Sequence, residues 1–127
     1  MELPENRKYT SSHEWIADNR DGTVTVGITA VATEQLGDLV YVELPQVGAR
    51  VARGANCAVV ESTKAAADVY APVAGEVVAA NADLAAHPER VNESPYGAGW
   101  LFKLRLGDAT ELESLLARDA YAKSAGV

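Results

Sequence analysis

One lysine stands apart chemically. In Val59-Val60-Glu61-Ser62-Thr63-Lys64-Ala65-Ala66-Ala67-Asp68-Val69-Tyr70-Ala71-Pro72-Val73-Ala74-Gly75, two strand-like runs flank a polar interval, and a Pro-x-x-Gly turn follows. Lys64 is the only cation between Arg53 and Arg90, whereas Glu61, Asp68, Glu76, Asp83 and Glu89 all fall in that interval. A lysine on a hairpin tip without cationic neighbours is accessible to a modifying enzyme and unambiguous as its target. Acylation would remove its charge and take the formal net of −7 to −8. The residues around it are polar or acidic, not the apolar surroundings that activate a catalytic amine. Lys64 therefore reads as an attachment point, although a solvated hairpin lysine has the same local sequence.

No other constellation competes. His13, His87 and the single Cys57 are scattered, with no metal-ligand spacing. Cys57 lies in an apolar run and reads as a small buried hydrophobe. There is no phosphate-cradling glycine loop, no Ser-His-Asp set and no paired-carboxylate spacing. The acidic balance, 18 Asp plus Glu against 11 Lys plus Arg, disfavours nucleic acid and anionic membrane surfaces as partners. Met1 to Asn6 has no apolar h-region and no Arg/Ser-rich amphipathic stretch, which predicts a cytoplasmic protein. At 127 residues one domain is expected, spanning 1–127 with a core over about 9–107. The apolar share is rich in alanine and valine and only 6% of residues are aromatic, so small side chains are expected to build that core.

The elements that must position Lys64 read mostly as short strands. Thr23-Val24-Thr25-Val26-Gly27-Ile28 alternates with period two, and Asp21-Gly22 predicts a hairpin back to His13–Ala17. Further strands are expected over 38–44, 56–61, 67–70, 75–79 and 100–106, each bounded by Gly, Pro or Asn. Ala30 to Leu36 favours a short helix that Gly37 can terminate. Near the C-terminus Asp108 is placed to cap a helix carrying Leu112, Leu115 and Leu116, predicted over about 109–121. Leu39–Gly48 also aligns weakly with Asp68–Gly75, which suggests two similar β-units with Lys64 between them.

Taken together, these blocks resemble the glycine cleavage system H-protein family. Glu61-Ser62-Thr63-Lys64-Ala65 with Asp68-Val69-Tyr70 and Pro72–Val77 is similar to that family's lipoyl-lysine region. Tyr9-Thr10-Ser11-Ser12-His13-Glu14-Trp15 resembles its N-terminal signature. Gly27-Ile28-Thr29, Leu36-Gly37-Asp38, Val42-Glu43-Leu44-Pro45 and Asn92–Leu101 follow in the family's order. The resemblance implies a mostly β, flattened barrel or sandwich of the lipoyl/biotinyl carrier type. It implies lipoate amide-linked to Lys64 on a non-catalytic carrier. The partners it implies are a glycine decarboxylase, an aminomethyltransferase, a dihydrolipoyl dehydrogenase and lipoylating enzymes, with the carrier itself a monomer. It further implies a surface cleft that shelters the amine of the aminomethyl cargo, a role that carries onto Ser12, Glu14 and Asp68. Thr63 stands where the family often has valine, and His87 where asparagine is usual before proline. Two other readings share the lysine: a relay that hands lipoate to 2-oxoacid dehydrogenases, and a biotinyl carrier. The latter usually has methionine on both sides of the lysine, where Thr63 and Ala65 stand here.

Overall fold

The computed structural model describes residues 3–127; the reading of the extreme N-terminus at Met1 and Glu2 lies outside the described residues. Strands β1 (Lys8–Tyr9), β2 (Glu14–Asp18) and β3 (Thr23–Ile28) lead into helix α1 (Ala30–Leu36). Next come β4 (Leu39–Glu43), β5 (Arg50–Val51), β6 (Asn56–Ser62), β7 (Ala66–Tyr70) and β8 (Gly75–Ala80). A 3-10 turn (Ala82–Ala85), α2 (Arg90–Glu93), β9 (Phe102–Leu106), a second 3-10 turn (Ala109–Ser114) and α3 (Arg118–Ala125) complete the chain. The strands form two antiparallel sheets, β1-β2-β3-β9-β8-β5 and β4-β6-β7. The result is a sandwich rather than a closed barrel.

Period-two alternation places Ile16, Val24, Val26, Phe102, Leu104 and Val77 inward from the larger sheet. Val42, Val60 and Val69 meet them from the smaller one. Valine builds this core as expected, whereas alanine contributes only Ala58 to its buried members. The few aromatics are concentrated elsewhere. Tyr9, Trp15 and Tyr121 form a second cluster with Leu3 and Val31, where the N-terminal strand, α1 and α3 converge.

The predicted hairpin forms, with Glu14 opposite Ile28 and Asp18 opposite Val24. Helix α1 begins at Thr29, whose side chain accepts from Ala32 N–H, and ends at Gly37, whose φ of 81° few other residues tolerate. The weak repeat has a structural counterpart. The segments after the two prolines pair antiparallel, Arg50 with Glu76 and Val51 with Gly75, as a local two-fold relation requires.

The C-terminal helix differs from expectation. Asp108 does cap it, its carboxylate accepting from Thr110 N–H at 3.0 Å, but the first piece is a 3-10 turn that stops at Ser114. Leu115 and Leu116 are extended, and Leu116 exchanges two 2.8 Å backbone hydrogen bonds with Tyr9. Leucines three apart suit a 3-10 turn as well as an α-helix, so their spacing did not reveal this break. The α-helix proper begins only at Arg118.

Packing at Gly75 leaves no room for a side chain. A Cβ there would overlap the carbonyl oxygen of Arg105 on the neighbouring strand. Gly75→Ala should lower unfolding stability by about 2 kcal/mol or more. A denaturant midpoint equal to the parent's would contradict that packing.

Candidate functional site

Lys64 stands on the tight turn between β6 and β7. Ser62 N–H donates to Ala65 carbonyl oxygen at 2.8 Å and closes the turn. Ser62 Oγ in turn accepts from the N–H groups of Lys64 (3.3 Å) and Ala65 (3.2 Å). The backbone is thus held while the lysine side chain stays exposed, and among the described residues it forms no ion pair. Its aliphatic stem passes Gly37, where a side chain would stand 3.6 Å from Cε. That stretch is pinned by Asn92, which donates to Gly37 carbonyl oxygen and accepts from Leu39 N–H, both at 2.9 Å. Asn92 was not singled out from the sequence; a polar side chain reaching across more than fifty residues leaves no local signal.

At the far end of β7 lies a cleft of about 520 Å³. Four separate stretches line it: Tyr9–Ser12 with Glu14, Arg53–Gly54, Tyr70–Pro72 and Ser114–Leu116. Glu14 is the polar centre of this site, at 1% exposure. Its Oε1 accepts from the hydroxyls of Thr10 (2.5 Å) and Ser12 (2.6 Å), and its Oε2 from Tyr70 N–H (3.3 Å). A carboxylate offers about four acceptor positions, so three protein donors leave one, on Oε2. Buried carboxylates require partners of this kind.

Of the three residues assigned to the cleft from the sequence, Ser12 and Glu14 meet directly. Asp68 does not line the cleft; it is exposed on β7, opposite Val59. Alternation puts it on the same face as Ala66 and Tyr70, between the lysine turn and the cleft. Ala66 to Tyr70 spans about 13 Å at strand rise. Thr10, Arg53, Tyr70 and Leu115–Leu116 belong to the cleft but were not assigned to it from the sequence. Cys57 is half-buried, and desolvation pushes its thiol up to about 11, in keeping with an inert side chain.

The structure is thus a small two-sheet β-domain that holds exposed Lys64 on a tight turn, with a polar cleft one strand-length away. Known proteins share this architecture and much of the sequence. The family model described as Glycine cleavage H-protein matches residues 7–126. The chain is 56% identical over 124 residues to a protein named glycine cleavage system H protein from Laribacter hongkongensis, covering 98% of each. A protein of the same name from Escherichia coli is 56% identical over 119 residues, covering 94% of this chain and 92% of that one. The crystal structure of a glycine cleavage system H protein from Mycobacterium marinum superposes with a TM-score of 0.87 at 43% identity, covering 98% of this chain and all of that one. The chain belongs to the glycine cleavage H-protein family.

Proposed function

We propose that this protein is the lipoyl-bearing carrier of a glycine cleavage system, non-catalytic in itself, with lipoate in amide linkage to Lys64. The supporting observation is an exposed lysine before one end of β7 and, at the other end, a cleft built around a buried carboxylate. The turn suits the group: the Lys64 side chain is exposed to acylation, and its backbone is held by Ser62 whether or not the side chain is modified. Lipoate held on Lys64 would supply a dithiolane whose S–S bond can open to carry an aminomethyl group on one sulfur, leaving, once that group is passed to an aminomethyltransferase, a dithiol for dihydrolipoyl dehydrogenase to reoxidise. This chain presents the arm, docks the partners and shelters the cargo.

Glu14 receives the cargo's ammonium at the open position on Oε2, since a carboxylate attracts a cation more strongly in a groove than in open water. Ser12 gives its only proton to Glu14, so it holds the carboxylate and offers the amine a lone pair. Asp68 attracts the ammonium along β7 as the arm moves between the lysine turn and the cleft. The chain acts as one domain and as a monomer in the bacterial cytoplasm; among the described residues no helix is long and apolar enough to cross a membrane.

Intact mass and peptide mapping of protein purified from its own cell test the assignment. One lipoyl group on Lys64 is expected. Biotin there, or no modification with lipoate supplied, would overturn it. Exchange of labelled bicarbonate with glycine, reconstituted with the decarboxylase, separates a glycine-cleavage carrier from a pure lipoyl relay.

Docking has an electrostatic side. The outer face of the smaller sheet carries Glu43, Glu61 and Asp68 beside Tyr41 and Tyr70, and the chain's net charge is −7. Raising ionic strength should therefore slow turnover with the partner enzymes several-fold. A salt-independent rate would count against an electrostatic contribution.

A further inference from the structure

We infer that His13 and Tyr121 are positioning residues for the cleft, holding the turn between Thr10 and Glu14 so that the Glu14 carboxylate keeps its place. His13 has a φ of 75°, in the left-handed region that non-glycine side chains rarely adopt. Such a conformation persists only where the surroundings over-determine it. Here they do. The His13 N–H donates to Thr10 carbonyl oxygen at 3.2 Å, and its own carbonyl accepts from Thr29 N–H at 2.9 Å. Its Nδ1 lies 2.6 Å from the Tyr121 hydroxyl, which lies 2.7 Å from Thr29 Oγ1. His13, Tyr121 and Thr29 thus close a ring, and the residues on either side of His13 are the two that meet in the cleft.

Tyr121 reaches the opposite wall as well. Its ring stacks on Tyr9 at 4.8 Å, and Tyr9 holds Leu116 of the cleft lining through two backbone bonds. Tyr121 is fully buried, although it is carried on the last helix of the chain. One hydroxyl therefore connects α3 to the turn that presents Ser12 and Glu14, and one ring connects it to the C-terminal wall. This inference rests on the reading of Glu14 as the holder of the cargo's amine, because it concerns how Glu14 is placed.

Tyr121→Phe removes the hydroxyl and keeps the stack. In the unmodified protein, amide hydrogen exchange at Tyr70, whose N–H is held by Glu14, should quicken about three- to tenfold. In the loaded protein, loss of the aminomethyl cargo should quicken by a similar factor. With Glu14 already replaced by alanine, adding Tyr121→Phe should have no further effect on that loss. His13→Asn, which tolerates positive φ but is too short to reach Tyr121, should behave like Tyr121→Phe and carries the test if that variant does not fold.

A lower melting temperature with unchanged exchange at Tyr70 would make the ring a mere anchor of α3 and overturn the inference. Effects on cargo loss that multiply in the double variant would overturn it too. If Glu14→Ala alone leaves cargo loss unchanged, the cleft reading fails instead, while exchange at Tyr70 in unmodified protein still decides whether Tyr121 positions Glu14.

Discussion

Lys64→Arg is expected to give a folded protein that takes up no lipoate and supports no glycine cleavage. The lysine side chain is exposed and among the described residues forms no ion pair, so its replacement removes no native contact of consequence. The turn is held by Ser62 and by backbone groups that arginine retains. Stability should therefore stay within about 0.5 kcal/mol of the parent, as for other exposed substitutions. Arginine preserves the charge but has no primary amine to acylate, so the whole effect falls on modification. Intact mass after incubation with a lipoylating enzyme, ATP and lipoate should show no added lipoyl group. Reconstituted turnover should fall to the level seen without any carrier. A lipoyl group on the variant would mean that another lysine accepts it, and the assignment of Lys64 would be abandoned.

Glu14→Ala should affect both stability and cargo retention. Truncation leaves the Thr10 and Ser12 hydroxyls and the Tyr70 N–H without their acceptor in a part-buried place. A donor left dry carries a desolvation penalty, although the cleft admits water to the exposed Ser12 and Tyr70. A net loss of about 1–3 kcal/mol follows, readable as a lower denaturant midpoint. Cargo loss from loaded protein should also quicken, by about tenfold, since one charge-assisted hydrogen bond is removed. The two effects separate in Glu14→Gln, which keeps the shape and one acceptor oxygen but loses the charge. That variant should keep most of the stability and still release its cargo early. An unchanged release rate in both variants would remove Glu14 from the role, whatever the stability shows.

The lysine turn was legible because its determinants are local. Two alternating runs, a polar interval and Pro-x-x-Gly place Lys64 on a hairpin without knowledge of anything distant. The β2–β3 hairpin, α1 with its Thr29 and Gly37 caps, and most strand limits were readable for the same reason. Failures occurred where a distant partner overrode the local pattern. His13 was read into a strand, yet its positive φ and its bond to Tyr121, 108 positions on, delay β2 until Glu14. Leu115 and Leu116 were read as helical, yet pairing with Tyr9 pulls them straight. Alanine was expected in the core because composition reports how much apolar material exists and not which face of a strand it occupies.

Residue types and spacing alone therefore singled out Lys64 as a candidate attachment point and pointed to the β-rich scaffold, while the lipoyl chemistry and the interest of Ser12, Glu14 and Asp68 came from family resemblance. The cleft itself could not be read that way. It takes its walls from residues near 9–14, 53–54, 70–72 and 114–116, brought together only when two sheets and the C-terminal segment pack. The roles of Thr10, Tyr70, Tyr121 and Asn92 likewise arise from burial. A polar group removed from water must find a partner, and that partner is set by which segments meet in space rather than by neighbours in the chain.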